Sequence, residues 1–146
     1  MNVLVYAENS NGRFKKAVHE AICYGRKVAD ASGGNCYISV LGESDEVMNL
    51  SKFGSDKIIH VTNKVLNNFD GVQQTTVLED IVSEHGVDLV VMAHSANVKS
   101  LAARIAARLD AGMVSMVYEL PVNYDEFTVK RKVFSGKAIA NYKIKT

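Results

Sequence analysis

Cysteine is scarce in this sequence. Cys23 and Cys36 are the only two in 146 residues, with no Cys-x-x-Cys pair and no cluster at metal-ligand spacing. A disulfide framework and a structural zinc site are thereby excluded, and two thiols in a chain able to build its own core fit a reducing compartment. Long apolar runs are missing as well: none approaches the ~20 residues of a membrane-spanning helix. The start, "MNVLVYAE", has neither a basic leader nor a cleavage site. The expectation is a cytoplasmic protein without membrane insertion. Excess charge is absent too, the net being +1, which gives no hint of nucleic acid. Neither Gly-x-Gly-x-x-Gly nor Gly-x-x-x-x-Gly-Lys-Ser/Thr occurs, so the common phosphate-cradling loops are lacking. Repeats, low-complexity segments and internal linkers are also absent.

What remains is an ordinary globular composition, 47% apolar and 23% charged. A chain of this length forms one domain and buries roughly 70% of its unfolded surface. "NVLVYAE" (2–8) is a continuous apolar run, as expected of a strand covered on both faces. From Phe14 a helical stripe runs through Val18, Ala21, Ile22, Gly25, Val28 and Ala29 and ends at Gly33-Gly34. "CYISVLG" (36–42) predicts a second strand, 45–53 a short helix with Ser44 as N-cap, and "KIIHVT" (57–62) a third strand. A loop through Asn67-Asn68 leads to a helix over about 72–85, closed by Gly86. "DLVVMAH" (88–94) predicts a fourth strand, followed by a helix with the stripe Leu101, Ala102, Ile105, Ala106 and Leu109. Alternating strands and helices call for a parallel sheet with right-handed crossovers.

After Gly112 the rhythm changes. "MVSMVYELP", "EFTVKRKVF" and "KAIANYKIKT" are three strand-like runs without helical intervals, with a turn at Ser135-Gly136. The predicted fold is a three-layer, doubly wound α/β domain spanning 1–146, its sheet mostly parallel and Rossmann-like, with antiparallel strands appended at the C-terminal end. Residues 127–146 hold six Lys/Arg and no acid. Lys130, Lys132 and Lys143 are read as edge gatekeepers or partner-facing groups, because base-stacking aromatics are not interleaved among them.

Candidate sites follow from the topology. Ser32-Gly33-Gly34 resembles the start of the pyrophosphate loop of ATP pyrophosphatases, but such a loop must follow a strand and open a helix. Here it ends a helix, which argues against that class of enzyme. The first strand-to-helix turn, Glu8, Asn9 and Ser10, and the fourth, His94, Ser95 and Asn97, both reach the carboxyl edge of the sheet, where open α/β folds place ligands. They make a candidate crevice for an adenine nucleotide, with Ser95 or Asn97 able to cap the helix. Glu8 with His94 forms a conceivable acid/base pair, although no Gly-x-Ser-x-Gly elbow arms Ser95 or Ser100. His19, His60 and His85 share no ligand spacing, so no metal is expected. Arg104 and Arg108 stand one turn apart beside the apolar stripe, a pattern common in contacts with a partner.

The whole chain, read in order, resembles the N-terminal domain of the electron transfer flavoprotein alpha subunit. The pieces that carry the likeness are "VLVYAENSNGRFKKAVHEAICYGRKVA", "GSDKIIHV", "SLAARIAARLDAGMVSMVYEL" and "FTVKRKVFSGKAIANYKIKT". The family's Tyr-Ala-Gly-Asn-Ala turn is here Phe134-Ser135-Gly136-Lys137-Ala138, a departure at several positions. The resemblance implies the N-terminal part of a longer chain, a scaffold that contacts a beta subunit. FAD would be held by a separate C-terminal alpha domain of the heterodimer, with no cofactor and no catalytic residue on these positions. The full complex would pass electrons from dehydrogenases to an acceptor. The alternative is a free-standing nucleotide-binding module of the universal-stress type. A homodimer of the isolated domain is a further option.

Overall fold

A computed structural model describes residues 1–133 and 138–144 of the chain. The order of elements is β1 (Val3–Tyr6), α1 (Lys16–Ser32), β2 (Cys36–Leu41), β3 (Lys57–Val61), α2 (Gly71–His85), β4 (Leu89–Met92), α3 (Ala96–Arg108), β5 (Thr128–Val133) and β6 (Ala138–Lys143). The first four strands form one parallel sheet in the order β3-β2-β1-β4. β1 pairs Val3 with Cys36 on one side and with Leu89 on the other.

Winding outward to β3 and then back across β1 to β4 puts helices on both faces. Alternate side chains of β1 consequently enter two different cores. Val3, Val5 and Ala7 join Val18, Ile22 and Val28 of α1. Leu4 and Tyr6 join Leu78 and Ile81 of α2 and Leu101 and Ile105 of α3. A strand covered twice has no polar face, and this is why "VLVYA" shows no alternation. On the α1 side the layers are so close that a Cβ at Gly25 would overlap Val5 Cγ2. Gly33, at φ 72°, ends α1 as expected, and the following Gly34 N–H reaches the Ala29 carbonyl at 2.9 Å.

The three-layer α/β architecture expected from the pattern is present, and four details differ. The predicted helix at 45–53 is a 3-10 helix over Val47–Phe53, preceded by Glu46. Ser44 is not its N-cap: its Oγ accepts from the Glu46 N–H and donates to the Gly12 carbonyl, making a turn. The loop before α2 holds a second 3-10 helix, Lys64–Asn67. The run 113–121 is a connector, not a strand. Met116 sits at φ 61°, which breaks an extended backbone, and among the described residues the run's strand pairing is limited to an isolated bridge between Val117 and Arg131. The antiparallel strands β5 and β6 pair with each other as a separate two-stranded sheet, not as an extension of the parallel one. The predicted turn at Ser135-Gly136 lies outside the described residues.

Candidate functional site

At the carboxyl edge the first strand-to-helix turn folds back tightly. Ser10 and Arg13 exchange backbone hydrogen bonds of 2.9 and 3.1 Å across Asn11 and Gly12, which lie at φ 53° and 85°. Positive φ at both central positions suits Asn-Gly, which explains the residue choice. Asn9 clamps this turn to the next strand. Its Oδ1 accepts from the Gly12 N–H at 2.6 Å, and its Nδ2 donates to the carbonyls of Leu41 and Glu43 at 3.3 and 3.0 Å. Asn67 adds a second clamp: its Oδ1 accepts from the Glu43 N–H at 2.8 Å and its Nδ2 donates to Glu43 Oε2. His60, near the end of β3, donates from Nε2 to the Gly42 carbonyl at 2.7 Å.

These bonds converge on Gly42, whose φ of 94° favours glycine. A Cβ there would stand 2.9 Å from the Leu66 carbonyl oxygen and 3.2 Å from Asn67 Oδ1. Around this knot lies an open cavity of about 780 Å³ over the ends of β1, β2 and β3, lined among others by Asn9, Arg13, Glu43, Asp45, Glu46 and His60. Its volume suits a small molecule. Its chemistry does not suit a phosphate: three carboxylates face one guanidinium, and Asn9, Asn67 and Ser44 already hydrogen-bond within the chain. The loop carries a single glycine, held in the Ser10–Arg13 turn and unable to wrap an anion. A flavin pyrophosphate therefore does not fit these residues.

Of the six crevice residues singled out from the sequence, Asn9 alone lines this cavity. Ser95 is the N-cap of α3, its Oγ accepting from the Val98 N–H at 3.1 Å, whereas Asn97 lies within the helix and is exposed. Glu8 and His94 each stand two residues past the last β1–β4 pair, Tyr6 with Met92, so both reach the same edge. No ion pair joins them among the described residues, and His94 is exposed. The acid/base pair is not assembled in this conformation.

Beneath that edge Tyr6 is buried, and its hydroxyl donates to Gln74 Oε1 of α2 at 2.5 Å. Burial raises its pKa well above the ordinary tyrosine value, and the nearby charge of Glu8 adds to the rise. The opposite end of the sheet is braced by charge. Asp56 accepts from the Cys36 N–H at 2.8 Å and from Arg26 Nη1 at 2.6 Å, and both bonds hold its carboxyl below the usual range. Arg26 also reaches Asp30 at 2.7 Å. Burial pushes the Cys36 thiol up to about 11, which makes it a packing group and not a nucleophile. Sequence reasoning missed Asn67, Gln74 and Asp56. Each becomes significant only through partners 20 to 68 residues away.

Arg104 and Arg108 face α2 of their own chain. Arg108 Nη2 donates to Glu79 at 2.6 Å, and the Arg104 side chain lies over Gly71. A second groove, about 610 Å³, runs between α1 and the connector, lined by His19, Tyr24, Phe53, Tyr118 and Leu120 with lysines and glutamates at its rim. The ring of His19 stacks on Phe53 at 4.4 Å, and Tyr24 donates to the Glu119 carbonyl. No group of three metal-binding side chains occurs among the described residues. None of the described helices is long and apolar enough to cross a membrane.

Residues 3–146, nearly the whole chain, match the model of the electron transfer flavoprotein domain. The chain belongs to that family. An electron transfer flavoprotein alpha subunit of Bacillus subtilis (strain 168) is 29% identical over 139 residues, covering 93% of this chain and 42% of the relative. The alpha subunit of Clostridium acetobutylicum is 28% identical over 142 residues, covering 94% and 42%. The acryloyl-CoA reductase electron transfer subunit beta of Anaerotignum propionicum is 27% identical over 128 residues, covering 86% and 35%. The chain thus spans less than half the length of these relatives, as the N-terminal domain of an alpha subunit would. Proteins of the electron transfer flavoprotein family are electron carriers, and the family's full complex uses FAD.

Proposed function

We propose that this electron transfer flavoprotein domain is a non-catalytic scaffold. It shapes the contact with a beta subunit while FAD sits on a separate domain of the alpha chain. The observation that carries this reading is the carboxyl edge of the sheet. Where a related fold would admit a nucleotide, Asn9, Asn67, Ser44 and His60 tie three strand ends together and carboxylates line the rim. FAD supplies the electron-carrying chemistry of the full complex, which passes electrons from dehydrogenases to an acceptor in the cytoplasm. This chain's residues neither bind nor orient that cofactor.

The other half of the reading is supported by what lies outside the core. β6 pairs only with β5 among the described residues, leaving one edge of the small sheet open. The connector beside it exposes Met113, Met116, Leu120 and Val122. Two-stranded sheets are marginal alone, and exposed apolar residues in one segment mark a contact surface. The test combines colour, calorimetry and co-purification. The chain alone is expected to be colourless, to give no heat with micromolar AMP or ATP, and to form a stable complex with a beta subunit. A stoichiometric flavin band on the isolated chain would overturn the scaffold reading. Micromolar AMP or ATP binding would instead favour a nucleotide-binding module that uses the cavity at the carboxyl edge.

A further inference from the structure

Asn11-Gly12 is the single Asn-Gly pair in the chain, and that dipeptide has a chemistry of its own. The backbone nitrogen after an asparagine can attack the asparagine's side-chain amide. Glycine, lacking a Cβ, leaves the approach open. Asn11 is exposed and lines the cavity at the carboxyl edge, so water and hydroxide reach it.

At φ 53° Asn11 holds the left-handed conformation of a tight turn. Ring closure needs the peptide plane between Asn11 and Gly12 to swing away from that conformation, until its nitrogen faces the Asn11 side-chain carbon. The folded edge opposes this swing at several atoms. The Gly12 N–H donates to Asn9 Oδ1 at 2.6 Å, which holds both the plane and the proton that the nitrogen must lose. Asn9 is itself anchored, its Nδ2 donating to the Leu41 and Glu43 carbonyls. On the far side of Gly12, its carbonyl accepts from Ser44 Oγ at 2.6 Å. Ser10 and Arg13 close the turn with their paired backbone bonds. Of these groups, Asn9 is the one that touches the attacking nitrogen.

We infer that Asn11 is a latent deamidation site, held closed by Asn9 while the carboxyl edge is folded and released when that edge loosens. In the reaction the Gly12 nitrogen loses its proton and bonds to Asn11 Cγ, the Cγ–Nδ2 bond breaks, and ammonia leaves. Water then opens the cyclic imide at either carbonyl, giving aspartate or isoaspartate. Aspartate adds a carboxylate to a rim that already carries Glu43, Asp45 and Glu46. Isoaspartate routes the main chain through the side-chain carbon, a lengthening that the paired Ser10–Arg13 bonds do not accommodate. The inference stands on the turn and does not depend on the scaffold reading.

Peptide mapping by mass spectrometry on the chain held in warm, mildly alkaline buffer tests this. The reference is a free peptide with the sequence of residues 8–14, which lacks the restraints of the turn. Asn11 in the folded chain is expected to convert roughly tenfold or more slowly than in the peptide, and Asn9→Ala to speed the folded chain by about fivefold or more, the scale set by one lost hydrogen bond. Asn67→Ala loosens Glu43 without touching the Gly12 N–H, and should convert at the parent's rate. Slow amide exchange at Val3–Tyr6 shows that each variant is still folded. A parent as fast as the peptide overturns the inference. So does an Asn9→Ala variant no faster than the parent, or an equal acceleration by Asn67→Ala. Should Asn9→Ala fail to fold, the comparison of parent with peptide decides alone.

Discussion

Asp56 shows how one residue comes to brace a fold that its local sequence does not announce. Its carboxylate receives the first backbone N–H of β2 and the Arg26 guanidinium of α1, joining helix, strand and the approach to β3. Because the folded state lowers its pKa, its contribution is complete above the ordinary aspartate value of ~3.9 and is lost as pH falls below that toward the folded value. The carboxylate side chain is 45% exposed, so solvent screening limits the effect to about 1 kcal/mol. Asp56→Asn is therefore expected to lower the melting temperature by a few degrees at pH 7 and by progressively less in acid. Thermal melts from pH 7 to 3 on both proteins check this. A gap that stays constant across that range would mean that ionisation of Asp56 is not what matters. The sequence "GSDKII" reads only as the polar entry to a strand. The residue that makes Asp56 important stands 30 positions earlier.

Elements were more legible, and where they end depends on chemistry that short motifs record. Ser95 illustrates this: a hydroxyl residue just before an apolar stripe predicts a helix start, and its Oγ does accept from the Val98 N–H. Ser95→Ala should cost about 1 kcal/mol, and Ser95→Asp should cost little, since a carboxylate caps equally well. Chemical denaturation of the two variants measures the difference, and equal losses for both would show that the cap is not the cause. Asn97, the other capping candidate, lies inside the first turn of α3 and has no such role. The connector shows where element reading failed. β-branched and aromatic residues through 114–120 spell a strand, yet one positive φ at Met116 interrupts it. Propensity is local, whereas a strand needs a ladder along its length, and the backbone pairing of this run among the described residues is an isolated bridge from Val117 to Arg131.

At the scale of the molecule, the two sheets differ in how firmly they are held. β1 is hydrogen-bonded on both edges and Val3–Ala7 are at most 2% exposed. β6 has a neighbour on one side only among the described residues. Amide exchange is expected to be slowest at Val3–Tyr6, where opening requires global unfolding, and far faster at Asn141 and Tyr142. Exchange measured by NMR or mass spectrometry on the isolated chain tests this. Comparable protection of β6 and β1 would show that the small sheet is already part of the core. A beta subunit that covers the open edge should slow β6 selectively.

By itself the sequence determined the layers of this protein. Runs of apolar residues at period one, stripes at period 3.6 and the glycines that stop them follow from backbone geometry and burial, which act over a few residues. It also determined the absence of a phosphate loop, because such a loop is a contiguous motif. What the tertiary structure decided is the character of the carboxyl edge. Asn9, His60 and Asn67 are unremarkable polar residues until β1, β2 and β3 lie side by side and their side chains meet around Gly42. The same holds for Arg104, whose packing over Gly71 depends on which helix lies against it. Hydrogen bonds and charge pairs act over a few ångströms, and only the folded chain sets which residues come that close.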